Sequence, residues 1–147
     1  MSTANKSSMR LDDQLCFSLY AASNLLTRLY QPALRDLGLT YPQYLVLLVL
    51  WEQDDQTVGE LCERLHLDSG TLTPMLKRME MAGLLERRRD PRDERRVRIG
   101  LTSAGSALRE DACSVPASIG GRFSQDPADL LRLRSMLQDL VTELEKM

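Results

Sequence analysis

The feature that most constrains the fold of this chain is the stretch LLERRRDPRDERRVRIGLT at residues 84–102. Its second part, RVRIGLT, alternates charged and apolar residues, which is typical of a half-buried β-strand. LLERRR can pair with this strand across DPRDE, a sequence rich in turn-forming residues. The pattern therefore predicts a β-hairpin with a charged tip.

Two short amphipathic helices are predicted immediately before this hairpin. Each has one apolar face at helical spacing, formed by Val58, Leu61, Cys62 and Leu65 in the first and by Leu72, Met75, Leu76 and Met79 in the second. Asp68 or Ser69 can cap the second helix, and Gly83 can end it. Pro74 is placed near its first turn, where proline is tolerated. A helix pair followed by a charged hairpin predicts a winged helix-turn-helix at about residues 40–102.

Further helices are predicted on both sides of this motif. Apolar residues recur every three or four positions across residues 12–37, which indicates a helix that Asp12 or Asp13 can cap. The sequence TYPQYLVLLVLWE begins with a proline favoured in the first helical turn, so a second helix is expected to about residue 53. Thr102 is predicted to cap a helix that continues to about residue 119.

The last predicted helix starts at Asp126 as cap with Pro127 in the first position. Its leucines recur at spacings of three and four, at Leu130, Leu133, Leu137, Leu140 and Leu144. Such a regular seam favours packing against a partner chain, with packing inside one subunit as the alternative. We predict one mainly α domain over 1–147 with a small β-hairpin. It would form a homodimer through helices at about 12–37 and 103–146.

The charge distribution indicates a nucleic-acid partner. The net charge is −2, but residues 77–98 hold nine Lys/Arg and five Asp/Glu, so this segment carries +4 on an acidic remainder of −6. A concentrated basic patch fits electrostatic docking, and a solvated charged loop is the alternative. In a helix-turn-helix, the start of the second helix meets base edges in the major groove. The predicted contacts to double-stranded DNA are Ser69, Thr71, Thr73, Pro74, Lys77, Arg78, Asp93, Arg95 and Arg96.

At the hairpin tip, a guanidinium on a narrow wing fits the minor groove, whose negative potential attracts it. Asp93 lies two residues before Arg95, so its carboxylate could orient that guanidinium through a charge-assisted hydrogen bond.

Composition favours a reducing compartment. The chain has three cysteines, an odd number at scattered positions, which argues against a disulfide framework. Residues 1–10 are polar and lack the apolar core of a secretory signal, and residues 1–8 are predicted to be a disordered start. No apolar run reaches the ~18 residues of a membrane span, so we expect a cytoplasmic protein without a membrane partner. Cys62 and His66 alone do not make a metal site, and no metal or cofactor is predicted.

Several stretches together resemble the MarR family of winged-helix transcription regulators, and within it the organic hydroperoxide resistance regulators. They are LDDQLCFSLY, LTYPQYLVLLVLWE, LDSGTLTPMLKRME and the wing sequence DERRVRIGLT, with its D-x-R signature. The resemblance implies a homodimeric repressor that leaves its operator when an organic hydroperoxide oxidises Cys16. It also implies that Tyr30 and Tyr41 hydrogen-bond this sulfur. Tyr20 matches a tyrosine that relatives bring near the site from the partner subunit.

The thiol chemistry expected at Cys16 is consistent with this resemblance. A helix start favours the thiolate, although Asp12 and Asp13 oppose it by charge repulsion. Apolar neighbours, with Phe17 and Trp51 among the candidates, would suit an alkyl hydroperoxide.

The fate of the oxidised sulfur depends on a second cysteine. Those organic hydroperoxide resistance regulators that use two cysteines carry a second, resolving cysteine. The matching position in this sequence lies near Gly121, and there is no cysteine there. We therefore expect a small cellular thiol to form a mixed disulfide with Cys16. Cys113 as the resolving residue is the alternative.

Other functions remain as alternatives at this stage. A repressor of the same family could be released by a small aromatic ligand rather than by thiol oxidation. A cysteine-dependent peroxidase would need a second active-site base, which the sequence does not supply, so an enzyme is not predicted. A purely structural or protein-binding winged helix is a further alternative, and Cys16 would then be core filler.

Overall fold

The computed structural model describes residues 9–147, which form two compact units. The first unit ends at Val115, and the second comprises Pro116–Met147. The predicted disordered start lies outside the described residues. Within the described part of the chain, no helix is long and apolar enough to cross a membrane. The organisation of residues 1–147 as a single domain with two dimerisation segments stays a prediction.

The first unit begins with two long helices. A 3-10 turn at Leu11–Asp13 precedes helix α1 (Leu15–Arg35), and helix α2 (Tyr41–Glu52) follows a turn at Gly38, whose φ of +71° suits glycine. A capping box fixes the start of α2. The Thr40 hydroxyl accepts a hydrogen bond from the Gln43 backbone N–H, and the Gln43 side chain accepts one from the Thr40 N–H.

Helices α3 (Val58–Leu65) and α4 (Ser69–Met81) form the predicted helix-turn-helix. Asp68 is the cap of α4, because its carboxylate accepts the backbone N–H of Thr71 at 2.7 Å. Pro74 is the sixth residue of α4, further into the helix than predicted, and it removes the N–H that would bond the Gly70 carbonyl. The inner faces meet in a core of fully buried side chains, among them Leu61, Leu72, Leu76 and Met79.

The predicted hairpin is confirmed. Strands β2 (Leu85–Arg89) and β3 (Val97–Leu101) pair antiparallel, and we call these strands with the turn at 90–96 the wing. The sequence analysis missed strand β1 (Gln56–Thr57), which pairs with the other edge of β3 and completes a sheet of order β1-β3-β2. Two residues are too few to show an alternating pattern.

Helix α5 (Ser103–Ala112) is tied to α2 and to the wing. The Thr102 hydroxyl caps α5 and donates to the Gly83 carbonyl, and the Trp51 indole N–H donates to the Gly105 carbonyl at 3.0 Å. A Cβ on Gly105 would collide with the Leu84 carbonyl, so only glycine permits this approach.

The prediction of one helix from Thr102 to about residue 119 is wrong. Helix α5 ends at Ala112, and helix α6 (Val115–Gly120) follows a turn at Cys113 and Ser114. The cause is Pro116, which lacks the N–H that would bond the Ala112 carbonyl and whose ring crowds that oxygen.

Within the second unit, helix α7 (Pro127–Glu145) begins as predicted. Asp126 is the cap, with its carboxylate accepting the Ala128 N–H at 2.8 Å, and Pro127 is the first residue. No residue of α7 is buried. Its exposed apolar side chains include Leu131, Leu133, Met136, Leu137, Val141 and Leu144.

Candidate nucleic-acid interface and reactive thiol

The start of α4 presents a small polar surface. Ser69, Thr71 and Pro74 are exposed, and Lys77 and Arg78 are exposed one turn later. The Asp68 cap fixes the first turn of α4 and orients these side chains away from the buried inner face. This is the arrangement that a recognition helix needs, with short hydroxyl side chains near base edges and cations beside phosphates.

At the wing tip, the predicted bond between Asp93 and Arg95 is confirmed. The carboxylate accepts from Arg95 Nε at 3.1 Å and Nη2 at 3.4 Å, and it also accepts the Arg95 backbone N–H. Arg96 Nε lies 3.7 Å from the same carboxylate. These bonds to Arg95 lower the pKa of Asp93. The Arg95 side chain is 91% exposed, so its guanidinium is both oriented and accessible.

One cleft brings α4 and the wing together. Thr73 of α4 and the wing residues Arg95 and Arg96 line it, and its volume is about 620 Å³. Thr73 is half-buried, whereas both arginines are exposed. Three of the residues predicted to contact DNA, one from the helix and two from the hairpin, therefore border the same cleft.

Sequence analysis missed a carboxylate that fixes the wing to α4. Glu80 accepts the Arg87 backbone N–H at 2.9 Å and Arg87 Nε at 3.1 Å. The backbone bond, followed by the side-chain bond, lowers the pKa of Glu80. Because the partners belong to different elements, no local sequence pattern could have indicated this pair.

Cys16 is the second residue of α1. The 3-10 turn before it carries Asp12 and Asp13, and the thiol itself is exposed. Apolar and aromatic side chains around it are also accessible, with Leu15 70% and Tyr20 67% exposed. An exposed thiol at a helix start is open to an oxidant, which a buried structural thiol is not.

Three of the four tyrosines form a cluster at the other end of α1. The ring centroids of Tyr30 and Tyr41 lie 4.7 Å apart, and Tyr44 lies 6.1 Å from Tyr30. Trp51 joins through Tyr44, at 6.4 Å. Burial raises the pKa of Tyr30 and Tyr41, so both phenols keep their protons at neutral pH and can donate hydrogen bonds.

Within one chain, this cluster is remote from Cys16. Tyr30 lies fourteen positions after Cys16 in the same helix, which corresponds to roughly 21 Å at the α-helical rise. The expectation that Trp51 surrounds the thiol is therefore wrong within one chain, because Trp51 packs in the tyrosine cluster. A hydrogen bond from Tyr30 or Tyr41 to Cys16 requires the sulfur of a second copy.

The other two cysteines differ from Cys16. Cys62 is half-buried, and burial, followed by the charge of Asp68, raises the pKa of its thiol. Cys113 is exposed in the turn after α5. Across residues 9–147, no three His, Cys, Asp or Glu side chains are grouped as metal ligands would be.

Comparisons with known proteins agree on one class. A MarR family model matches residues 39–97. The organic hydroperoxide resistance transcriptional regulator of Bacillus subtilis is 51% identical over 138 residues, which is 94% of each chain. Reduced AbfR bound to DNA, a Staphylococcus epidermidis protein, superposes with a TM-score of 0.80 at 38% identity, over 96% of each chain. Disulfide-formed AbfR superposes with a TM-score of 0.64 at 40% identity, over 92% of this chain and 96% of that chain.

Proposed function

Since this chain belongs to the MarR family of transcription regulators, we propose that it is a homodimeric repressor that senses organic hydroperoxides. The reduced protein binds operator DNA, and oxidation of Cys16 releases it. The observation that carries the proposal is the exposed thiol of Cys16 at the start of α1. The relative that shares 51% identity adds support, because it is an organic hydroperoxide resistance regulator. The fold is also similar to that of reduced AbfR bound to DNA, which supports DNA binding by this chain.

The proposed chemistry needs no cofactor. The Cys16 thiolate attacks the terminal oxygen of the hydroperoxide, the O–O bond breaks, and the alkoxide leaves as an alcohol after it takes a proton. The sulfur is oxidised by two electrons to sulfenic acid while the peroxide is reduced. A small cellular thiol then attacks the sulfenic sulfur, and a mixed disulfide forms with loss of water. The accessible apolar side chains of Leu15 and Phe17 favour a substrate with an alkyl tail.

A second copy of the chain completes the sensor. Tyr30 and Tyr41 of one subunit would donate to the Cys16 sulfur of the other, because the sulfur of their own chain lies too far along α1. Tyr20, which is 67% exposed, would join the same site across the interface. The groove of about 500 Å³ along α7, lined by apolar residues such as Leu133 and Leu137, offers a surface for the partner's helix.

The DNA surface would be used twice in the dimer. Each α4 would enter the major groove with Ser69, Thr71, Thr73 and Pro74 near base edges, while Lys77 and Arg78 contact phosphates. Each wing would place Arg95, held by Asp93, in the adjacent minor groove, with Arg96 beside it.

A ligand-released repressor is the second candidate. A cleft of about 410 Å³ lies between α1 and the start of α2, and Arg35, Thr40 and Tyr41 line part of it. A guanidinium and a phenol beside an apolar wall could hold a small aromatic carboxylate. Release of DNA by such a compound from a reduced Cys16→Ser protein would favour this candidate.

The decisive experiment is a mobility shift of reduced protein on its promoter DNA, with and without stoichiometric cumene hydroperoxide, read alongside intact mass. We expect release from the wild type together with an added oxygen or thiol adduct on Cys16. Cys16→Ser should bind DNA and keep it after peroxide. Cys113→Ser is the matched control, because it removes another exposed thiol and should still release. Peroxide-driven release from Cys16→Ser would overturn the assignment.

A further inference from the structure

The loop between α2 and β1 binds the base of the wing through two carboxylates. Asp54 accepts the backbone N–H of Leu101 at 2.9 Å. The Asp55 carboxylate accepts from Arg98 Nε at 3.0 Å and Arg88 Nη2 at 3.1 Å, and the Asp55 carbonyl accepts from Arg98 Nη2 at 2.7 Å. Arg88 and Arg98 face each other across β2 and β3. The loop that follows α2 is therefore hydrogen-bonded to both strands of the wing.

The backbone of Asp55 shows what this loop requires. Its φ is +58°, a left-handed conformation that costs free energy for most residues other than glycine. Glycine would form the turn at lower cost, but it has no carboxylate. Aspartate tolerates the conformation and also supplies the oxygen that both arginines share.

Arg98 continues the connection to the wing tip. Its Nη1 lies 3.3 Å from the Asp90 carboxylate, which also accepts the Arg92 backbone N–H at 2.9 Å. Asp90 is buried, and the Arg98 side chain is 28% exposed, so this guanidinium is partly shielded from competing water. One side chain thus joins the loop after α2 to the turn that carries Asp93 and the DNA-facing arginines.

The opposite end of α2 lies in the tyrosine cluster. Tyr41 is the first residue of α2, and its ring packs on Tyr30. Along the helix, Val46, Leu47 and Leu50 are at most 1% exposed. A helix packed in this way moves as a unit, because bending it would disrupt its core contacts. A displacement of Tyr41 would therefore reach the loop that holds Asp55.

We propose that Asp55 is a positioning residue that couples α2 to the wing, so that movement at the tyrosine cluster changes how the wing arginines meet DNA. The inference rests on the proposed function, in which oxidation of Cys16 disturbs Tyr30 and Tyr41. It assigns to this loop the step that carries the change from the thiol site to the DNA surface.

The test compares Asp55→Asn with a matched control in full-length protein. Asparagine keeps the shape and tolerates the positive φ, but it loses the charge that both arginines share. Glu52→Gln is the control. Glu52 is the last residue of α2, three positions before Asp55, and it also forms an exposed ion pair. Its partner is Arg64 of α3, at 2.8 Å, and not a residue of the wing. Operator affinity is measured before and after stoichiometric cumene hydroperoxide, and intact mass verifies equal oxidation of Cys16.

We expect reduced Asp55→Asn to bind its operator within about threefold of wild type, whereas the loss of affinity on oxidation should shrink by about tenfold. Glu52→Gln should respond as wild type. Either of two results would overturn the proposal. One is an unchanged ratio of reduced to oxidised affinity, and the other is an equal loss in both states, which would mean that Asp55 only maintains the fold.

A second measurement separates this proposal from the proposed function. Amide hydrogen exchange at residues 90–96 of the reduced proteins should be faster in Asp55→Asn than in wild type or Glu52→Gln, and unchanged in α7. If the wild type keeps its DNA after oxidation, both the proposed function and the coupling fail. Faster amide exchange at residues 90–96 of Asp55→Asn would even then show that Asp55 holds the wing. Unchanged amide exchange at residues 90–96 would show that Asp55 does not hold the wing and would overturn the proposal.

Discussion

The wing and the start of α1 are both rich in functional residues, but they differ in where their partners come from. In the wing, carboxylates of the same chain hold the arginines, as Asp93 holds Arg95 and Asp90 holds Arg98. At the start of α1, Cys16 and Tyr20 are exposed. Tyr30, which is also assigned to the thiol, lies near the far end of α1, and Tyr41 lies at the start of α2. The geometry of the proposed DNA contacts is thus set within one chain, whereas the proposed sensor would need two.

The largest effect is expected when the two copies of the proposed dimer are separated. Leu133→Glu combined with Leu137→Glu puts charge into the α7 groove and should yield a monomer in analytical ultracentrifugation. Operator affinity should fall by about a hundredfold or more, because two linked half-sites no longer act together. Met136→Glu adds one glutamate at an exposed position outside the groove and should remain dimeric. A dimeric double variant would show that α7 packs elsewhere.

A smaller effect is expected from Arg95→Ala, which tests the wing alone. Loss of this guanidinium from both subunits of the proposed dimer should weaken operator binding by about tenfold and reduce the salt dependence of affinity by about two ions per dimer. Arg132→Ala is the control, because this exposed arginine also pairs with a carboxylate, Asp129, but belongs to α7. Equal losses in the two variants, measured by fluorescence anisotropy at several salt concentrations, would contradict a specific role for Arg95.

The smallest effect concerns pH. Hydrogen bonds from Arg95 hold the pKa of Asp93 below its ordinary 3.8. Since the folded carboxylate binds its proton less tightly than the unfolded one, its stabilisation is present above pH 3.8 and is lost as the pH falls through the lower folded value. NMR shifts of the Arg95 amide should therefore titrate with a midpoint below 3.8, and this titration should disappear in Asp93→Asn. A midpoint at or above the ordinary value would exclude the bond in solution.

The sequence predicted the parts of the fold that have local patterns. The alternation in RVRIGLT and the turn before it specify the wing, and the bond between Asp93 and Arg95 spans two positions. Strand β1 is too short to leave a pattern. The break after α5 has a local cause in Pro116, which the prediction of one helix to about residue 119 did not take into account.

The site was less predictable because its contacts are distant in sequence. The resemblance indicated Tyr30 and Tyr41, but it did not indicate where Tyr41 lies, which is beside Tyr30 and remote from Cys16 of the same chain. The partners of Asp55 lie 33 and 43 positions away, so neither composition nor spacing could identify it. Glu80 and Arg87 are only seven positions apart, but they belong to different elements, so no local pattern indicates their bond.

The hydrogen bond between Trp51 and Gly105 gives the molecule an intrinsic optical label. Trp51 is the single tryptophan of the chain, and its indole N–H donates to the Gly105 carbonyl across the junction of α2 and α5. Indole emission shifts to longer wavelength when water replaces such a partner. The fluorescence of the unmodified protein therefore reports whether these two helices stay together, in real time and without an attached dye.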